Sequence, residues 1–424
     1  MCGICGYISR KRIGIQTLEK MNDSMLHRGP DDSGAVQLEA SDGYTVGMGH
    51  RRLAIMDLSS MGHQPMFSLD NNVCIVYNGE IYNFCELKIE LQLRGYNFIS
   101  QCDTEVVIAA YQEWGIDCFE RFNGMFAIAI WDQKKEKLIL ARDRMGKKPL
   151  YYFINDRGDF VWASELKPIM AFPDFKRNIR TELIASYLCR NYIKAPDTIF
   201  ENTYKLEPGQ YIVWYKGEIS KFYYWCVVEK YQMLKNSRKM DFNVAKDELR
   251  RLLLDSVNKR MLADVPVGVF LSGGIDSTLV ASIAQVERKE RVRTFTIGFN
   301  EKEQNEAAYA KQIARYLGTD HTEFYLEQND LLSLIDQIPI YYDEPFADSS
   351  QIPSMLVAEL AKEKVSVVLS GDGGDELFCG YGSYDNLVIA QRADWGGVFY
   401  IFYRIVNYCM IILYGRKCLM ECKQ

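Results

Sequence analysis

The sequence has no excess of basic charge: among 424 residues, 50 Lys and Arg stand against 56 Asp and Glu, a formal net charge of −6. Nothing in that balance holds a phosphate backbone, so nucleic acid is excluded as a bulk partner. No long apolar run follows Met1-Cys2-Gly3-Ile4-Cys5, and no secretory signal peptide is read there. The 12 cysteines lack framework spacing, which excludes a small disulfide scaffold and points to reduced thiols in the cytoplasm. Only residues 398–414 are apolar enough to suggest a membrane. They carry Arg404 and Asn407 near the middle and are barely long enough to span, so a buried or amphipathic helix is expected and no membrane partner. Internal repeats and low-complexity segments are absent. What remains, 48% hydrophobic and 25% charged residues, describes a soluble globular protein of two or three domains.

Up to about Arg190 short β-rich runs alternate with turn signals. Residues 73–77 stop at Asn78-Gly79, residues 125–131 stop at Asp132, and residues 86–93 and 104–114 carry apolar positions three and four apart. The pattern predicts an α+β domain built on antiparallel sheet over residues 1–190. Residues 195–224, with Pro196, Pro208-Gly209 and Tyr211-Ile212-Val213-Trp214, predict a hairpin-bearing connector within 191–239. From residue 240 the texture becomes strand then helix: 267–271 and 278–286, 293–299 and 307–317, then 365–369. That alternation predicts an α/β domain over 240–424, a doubly wound parallel sheet with helices on both faces.

Cys2 follows the initiator Met, and its small size suits methionine removal. A chain beginning at Cys2 would carry nucleophile and base in one residue, because the freed α-amine has a pKa of about 7.7–8.0. The competing reading makes Cys2 and Cys5 a C-x-x-C redox or zinc half-site. Further along stand His27-Arg28-Gly29-Pro30-Asp31, His50-Arg51-Arg52-Leu53-Ala54-Ile55, Tyr77-Asn78-Gly79-Glu80-Ile81-Tyr82-Asn83 and Cys102-Asp103-Thr104-Glu105. Taken singly each has a plain explanation: Asn-Gly signals a hairpin, and Asp103 suits a helix cap. In this order and approximate spacing they resemble the glutaminase domain of class II, N-terminal nucleophile, glutamine amidotransferases. The resemblance implies stacked antiparallel sheets with helices, Cys2 attacking the glutamine carboxamide, and Asn78 and Gly79 as oxyanion donors. It further implies that Arg52 holds the glutamine α-carboxylate, that Asp103 and Gly79 hold its α-ammonium, and that Asn78 and Glu80 belong to the same glutamine site.

In the second domain, residues 265–271 run into Ser272-Gly273-Gly274-Ile275-Asp276-Ser277 and a helix, a glycine-rich turn suited to cradling an anion. It is not a Walker A loop, which would end in Gly-Lys-Ser/Thr. S-G-G-x-D-S resembles the pyrophosphate loop of the ATP-pyrophosphatase superfamily. A second loop, Ser370-Gly371-Asp372-Gly373-Gly374-Asp375-Glu376, offers carboxylates that suit Mg²⁺. By resemblance Leu271, Ser272, Gly273, Gly274, Asp276, Ser277, Ile297, Ser370 and Gly371 line an ATP site, Asp276 and Asp375 hold Mg²⁺, and Asp372 and Glu376 border the acceptor or its adenylate.

A class II glutaminase ahead of such a domain resembles glutamine-hydrolysing asparagine synthetase from Cys2 to about Tyr384. That family implies cytoplasmic asparagine biosynthesis: ammonia released at Cys2 travels inside the protein to a β-aspartyl adenylate, giving asparagine, AMP and pyrophosphate, with a homodimer as an expected assembly. Two departures bear on this. Residues 343–353 contain no Arg or Lys where some family members place an arginine for the acceptor, and the second loop reads SGDGGDE, a variant similar to a branch that amidates other carboxylates such as sugar acids. The family's helical C-terminal region, with its lysine near the pyrophosphate, is not matched by residues 396–424, so the synthetase domain is expected to be incomplete. Three outcomes stay open: a full amidotransferase, a glutaminase with an inactive synthetase, and an inert remnant.

Overall fold

The computed structural model describes residues 1–235, 240–286, 288–299, 306–326, 328–382 and 384. The apolar segment 398–414 and the Cys418/Cys422 tail lie outside them. Two six-stranded antiparallel sheets make up the front of the chain. One runs Thr203–Lys205, Tyr151–Ile154, Phe160–Ala163, Gly3–Ser9, Thr45–Arg52, Asp32–Glu39; the other runs Glu218–Tyr223, Gln210–Tyr215, Lys137–Arg142, Gly124–Asp132, Val73–Ile81, Met66–Phe67.

Strand Gly3–Ser9 is buried at all seven positions because both of its faces are covered. Ile4 and Ile8 join Val46, Met48, Val76, Ala129 and Trp131 between the sheets. Cys5 and Tyr7 point the other way, under the helices Ile15–Asp23 and Leu166–Ala171. The second sheet turns Ile75, Tyr77, Ile128 and Ile130 toward Val107, Ala110 and Phe119 beneath Phe84–Leu93 and Asp103–Trp114. The result is four layers, helix, sheet, sheet, helix, as the resemblance implies.

Two expectations are corrected. Residues 73–77 do not stop at Asn78-Gly79, since the strand continues to Ile81 with Asn78 opposite Ala127 and Gly79 opposite Phe126. Glycine is needed here for close approach, not for a turn: a Cβ at Gly79 would collide with the Met125 carbonyl. The hairpin expected in the connector, Gln210–Tyr215 with Glu218–Tyr223, pairs with Lys137–Arg142 and is the edge of the second sheet. The sandwich therefore extends past residue 190 to Tyr223.

Among the described residues the rear sheet is parallel and four-stranded, in the order Asp320–Leu326, Arg293–Phe299, Val267–Phe270, Val367–Leu369. The chain moves outward from the strand Val267–Phe270 through two strands, then returns to place the last one on its other side. Right-handed crossovers force the helices onto opposite faces when that direction reverses. Ala281 and Ala284 of Ile275–Val286 and Ala310 and Ala314 of Ala307–Leu317 accordingly pack with Val269, and Ala361 of Gln351–Lys362 packs with Phe295 on the opposite face. Among the described residues no helix is long and apolar enough to cross a membrane.

Candidate active site

Cys2 sits just ahead of the buried strand Gly3–Ser9, where the Leu53 N–H donates to its Sγ at 3.4 Å. The surrounding pocket is lined by Cys2, Arg52, Leu53, Gln64, Tyr77, Gly79, Glu80, Cys102, Asp103 and Thr104. Five predicted residues from four sequence segments, Cys2, Arg52, Gly79 with Glu80, and Asp103, thus meet in one place. Asn78 stands between two lining residues with its side-chain Nδ2 and Oδ1 both buried and, among the described residues, without a partner.

Charged groups of both signs line the pocket. Arg52 is buried and donates to the carbonyls of Ser59 at 2.8 Å, Met56 at 3.3 Å and Asp57, which fix its guanidinium without neutralising it. Two acids line the same pocket. Burial, reinforced by the charge of Asp103, pushes the Glu80 carboxyl well above its usual range, with Lys148 opposing. Burial likewise raises Asp103, although its Oδ2 accepts the Ile81 N–H at 2.9 Å and the Tyr77 hydroxyl at 2.8 Å. Asp103 does not cap its helix; it opens the helix and turns its carboxylate back onto the strand Val73–Ile81.

Burial also raises the Cys2 thiol, so a base must take its proton. With Met1 in place the α-amine beside it belongs to Met1, and burial lowers that amine to about 5. Sequence reasoning missed three supports. Gln64 accepts the Tyr77 N–H at 2.7 Å and donates to Thr104 Oγ1 at 3.2 Å. His50, held neutral by burial at a pKa of about 3, donates Nε2–H to the Tyr77 carbonyl at 3.1 Å and so fixes the peptide that leads into Asn78. Lys148 is buried near Cys2 and Glu80, and burial lowers its pKa. Nothing in the run Gly146-Lys147-Lys148-Pro149 marks which lysine turns inward.

In the rear domain both predicted loops follow adjacent strands, Val267–Phe270 and Val367–Leu369, at the point where strand order reverses. In open parallel sheets ligands bind in the crevice beyond the strand ends at such a switch point. The first loop is braced internally: the Ser272 N–H donates to Ser277 Oγ at 3.2 Å and the Gly274 N–H to Ser272 Oγ at 3.3 Å. The loops touch. A Cβ at Gly371 would lie 2.8 Å from the Ser277 nitrogen, and one at Gly374 would collide with the Asp276 carboxylate.

Asp375 does not share that contact, because its carboxylate lies against Gly380, where a Cβ would strike Oδ1. Asp372 Oδ2 accepts the Ser370 hydroxyl at 2.9 Å, and Glu376 accepts the Tyr381 hydroxyl at 2.8 Å. Leu271 and Ile297 belong to apolar clusters on opposite faces of the sheet, so their side chains are not brought together. Among the described residues no group of three or more His, Cys, Asp or Glu is placed to hold a metal ion. Asp276 and Asp375 offer two carboxylates, too few to complete an octahedral shell alone, so they fit Mg²⁺ with phosphate oxygens and water as the remaining ligands.

These two halves define a class: a glutamine amidotransferase domain joined to a parallel-sheet synthetase domain. Residues 1–225 match the family model of the glutamine amidotransferase domain and residues 248–404 that of asparagine synthase. The chain is 41% identical over 406 residues to a Methanocaldococcus jannaschii protein named putative asparagine synthetase [glutamine-hydrolyzing] 2, covering 91% of this chain and 76% of that one. It is 36% identical over 391 residues to asparagine synthetase [glutamine-hydrolyzing] 1 of Bacillus subtilis, covering 91% of this chain and 59% of the relative. It is also 31% identical over 416 residues to amidase chry2 of Gibberella zeae, covering 91% and 60%. The chain belongs to the glutamine-hydrolysing asparagine synthetase family, whose members are ATP-using carbon–nitrogen ligases with glutamine as amide donor.

Proposed function

We propose that this chain cleaves glutamine at Cys2 and delivers the ammonia to an acyl-adenylate made in the rear domain, with aspartate as the acceptor and asparagine, AMP and pyrophosphate as products. The observation that carries the front half is the lining of the Cys2 pocket, which combines a guanidinium clasped by carbonyls with two carboxyls, Asp103 buried and Glu80 half-buried. An α-amino acid carries the complementary charges. With its carboxylate on Arg52 and its ammonium on Asp103 and Glu80, the glutamine carboxamide is directed to Cys2 Sγ.

Sγ attacks the carboxamide carbon, and the freed α-amine of Cys2 takes the thiol proton. The idle Asn78 Nδ2 and the Gly79 N–H meet the charge that develops on the carbonyl oxygen. The same amine then protonates the leaving ammonia, and water cleaves the thioester to glutamate. In the rear domain the touching loops around Asp276 and Gly371–Gly374 are assigned to the ATP phosphates, with Asp276 and Asp375 toward Mg²⁺, which when bound would offset phosphate charge.

A second acceptor reading, another carboxylate such as a sugar acid, is favoured by the segment 343–353. It supplies no cation, and its first two carboxylates are already bonded to the front domain. One experiment separates the readings: incubation with glutamine, ATP, Mg²⁺ and aspartate, measuring glutamate, pyrophosphate and asparagine in the same tube. Asparagine with matching pyrophosphate supports the first. Glutamate without asparagine, with pyrophosphate returning only when a sugar acid replaces aspartate, supports the second. Glutamate with no pyrophosphate for any acceptor leaves glutaminase activity alone.

Asp103→Asn should raise the KM for glutamine about 10–100-fold, the value of one charge-assisted bond at ~1.5–3 kcal/mol, with a smaller change in kcat. The pH dependence follows from the raised carboxyls: the empty site retains a proton that the glutamine ammonium must displace, so KM should fall as pH rises from the ordinary carboxylate range toward the folded-state pKa. For the empty protein the same shift removes stability over that rise, because the unfolded chain ionises first. Steady-state kinetics and urea unfolding across pH check both signs.

A further inference from the structure

Segment 343–353, where the acceptor cation is missing, is fastened to the front domain at its first two residues. Asp343 Oδ2 accepts the N–H groups of Leu166 and Lys167 at 2.7 and 3.2 Å, at the start of the helix Leu166–Ala171, and Oδ1 pairs with Lys167 Nζ. Glu344 accepts the Ile199 N–H at 2.8 Å and pairs with Lys205 at 2.6 Å. From Asp343 the contacts continue inward. Lys167 Nζ lies 3.3 Å from Glu165 Oε2; Glu165 Oε1 accepts Arg28 Nη1–H at 2.9 Å; and Arg28 Nε–H donates to the carbonyl oxygen of Cys2 at 2.9 Å.

Charges alternate along this line, and the side chains of Asp343, Glu165 and Arg28 are 10% exposed or less. Burial acts upward on Glu165, yet His27 and Arg28 outweigh it and hold the carboxyl at about 2, so the link stays ionised. In such a setting each charge depends on its neighbours, and removing one leaves the next uncompensated. The line ends on the peptide of Cys2 itself. At its other end, the segment feeds the helix Gln351–Lys362, which packs on the strand Arg293–Phe299 of the parallel sheet.

We propose that Asp343 is a positioning residue for Cys2, acting through Lys167, Glu165 and Arg28, so that the rear domain sets the rate of glutamine cleavage in the front domain. This rests on the reading of Cys2 as nucleophile. A displaced Cys2 carbonyl turns the adjacent Cα, and with it the thiol, relative to the Leu53 N–H and the acids that line the pocket. Misplacement of that kind lowers the rate of attack without touching the groups that bind glutamine.

The test uses the full chain and four variants, Asp343→Asn, Lys167→Met, their combination and Lys167→Arg, measuring kcat and KM for glutamate release together with the thermal midpoint. Asn at 343 keeps an acceptor for the two helix N–H groups while losing the charge. Each of the first two substitutions should lower kcat about tenfold with KM within twofold. The combination should fall no further than the worse single variant, because both break the same link, and Lys167→Arg should keep at least half the native kcat. Unchanged kcat in folded single variants, multiplicative losses in the combination, or KM rising in step with the loss of kcat would each overturn the inference while leaving Cys2 as nucleophile. Absence of glutamate from the native chain would overturn both.

Discussion

Cys2→Ala should reduce glutamate formation from glutamine by about 10³-fold or more while sparing synthesis driven by added ammonia. Cys102, the other thiol lining the pocket, is raised to about 12 by burial and donates to Thr104, so it does not replace a residue that forms the covalent intermediate, and such losses run far above those of a binding contact. The geometry sharpens this expectation. The thiol is raised by burial and starts protonated, whereas the amine of Met1 beside it is lowered by burial to about 5 and is a free base at neutral pH. Removal of Met1 would put thiol and amine on one residue, Cys2, as the reading of an N-terminal nucleophile requires. Mass spectrometry of the intact chain, read beside glutaminase kinetics, checks this: the active fraction should track the fraction lacking Met1. Glutaminase activity surviving in Cys2→Ala would remove Cys2 from the reaction.

Asp276→Ala is expected to act on the other half alone, lowering ATP-dependent pyrophosphate release by about 10²–10³-fold with glutamine cleavage within twofold of native. Its carboxylate is pressed against Gly374 and stands where the two loops meet at the switch point of the sheet. Because truncation also opens space between the loops, Asp276→Asn is the sharper variant: it keeps the shape and removes the charge. Equal loss in Ala and Asn assigns the effect to charge, as contact with Mg²⁺ and phosphate requires. Native-like pyrophosphate release from Asn would make Asp276 a packing residue.

The parts legible in the sequence were those with a short period or a compact motif. Strand–helix alternation after residue 240 was readable because residues 293–299 and 307–317 repeat over distances smaller than one turn of the domain. Asn78-Gly79 was misread as a turn since hairpin chemistry is local, whereas the strand's true partner, Gly124–Asp132, is set by packing between distant segments. The hairpin 210–223 was read as connector for a related reason. Its outer strand, Glu218–Tyr223, is largely exposed at the sheet edge, and composition reports exposure, not membership of a sheet.

By itself the sequence determined which chemical groups this protein owns: a cysteine behind Met1, the residues Arg52, Asn78, Gly79, Glu80 and Asp103, and two glycine-rich loops each following an apolar run. Residue type and local spacing suffice for that, because a thiol's nucleophilicity and a glycine's lack of Cβ travel with the residue. Tertiary structure alone decided how those groups are charged and held. Glu80 and Asp103 become reluctant acids only where burial removes water from both, and Asp276 meets Gly374 only because the fourth strand returns to the first. Likewise Asp343, Lys167, Glu165 and Arg28 form a line ending at Cys2 although up to 341 positions separate its ends, since Coulomb and hydrogen-bond energies depend on distance in space and not along the chain.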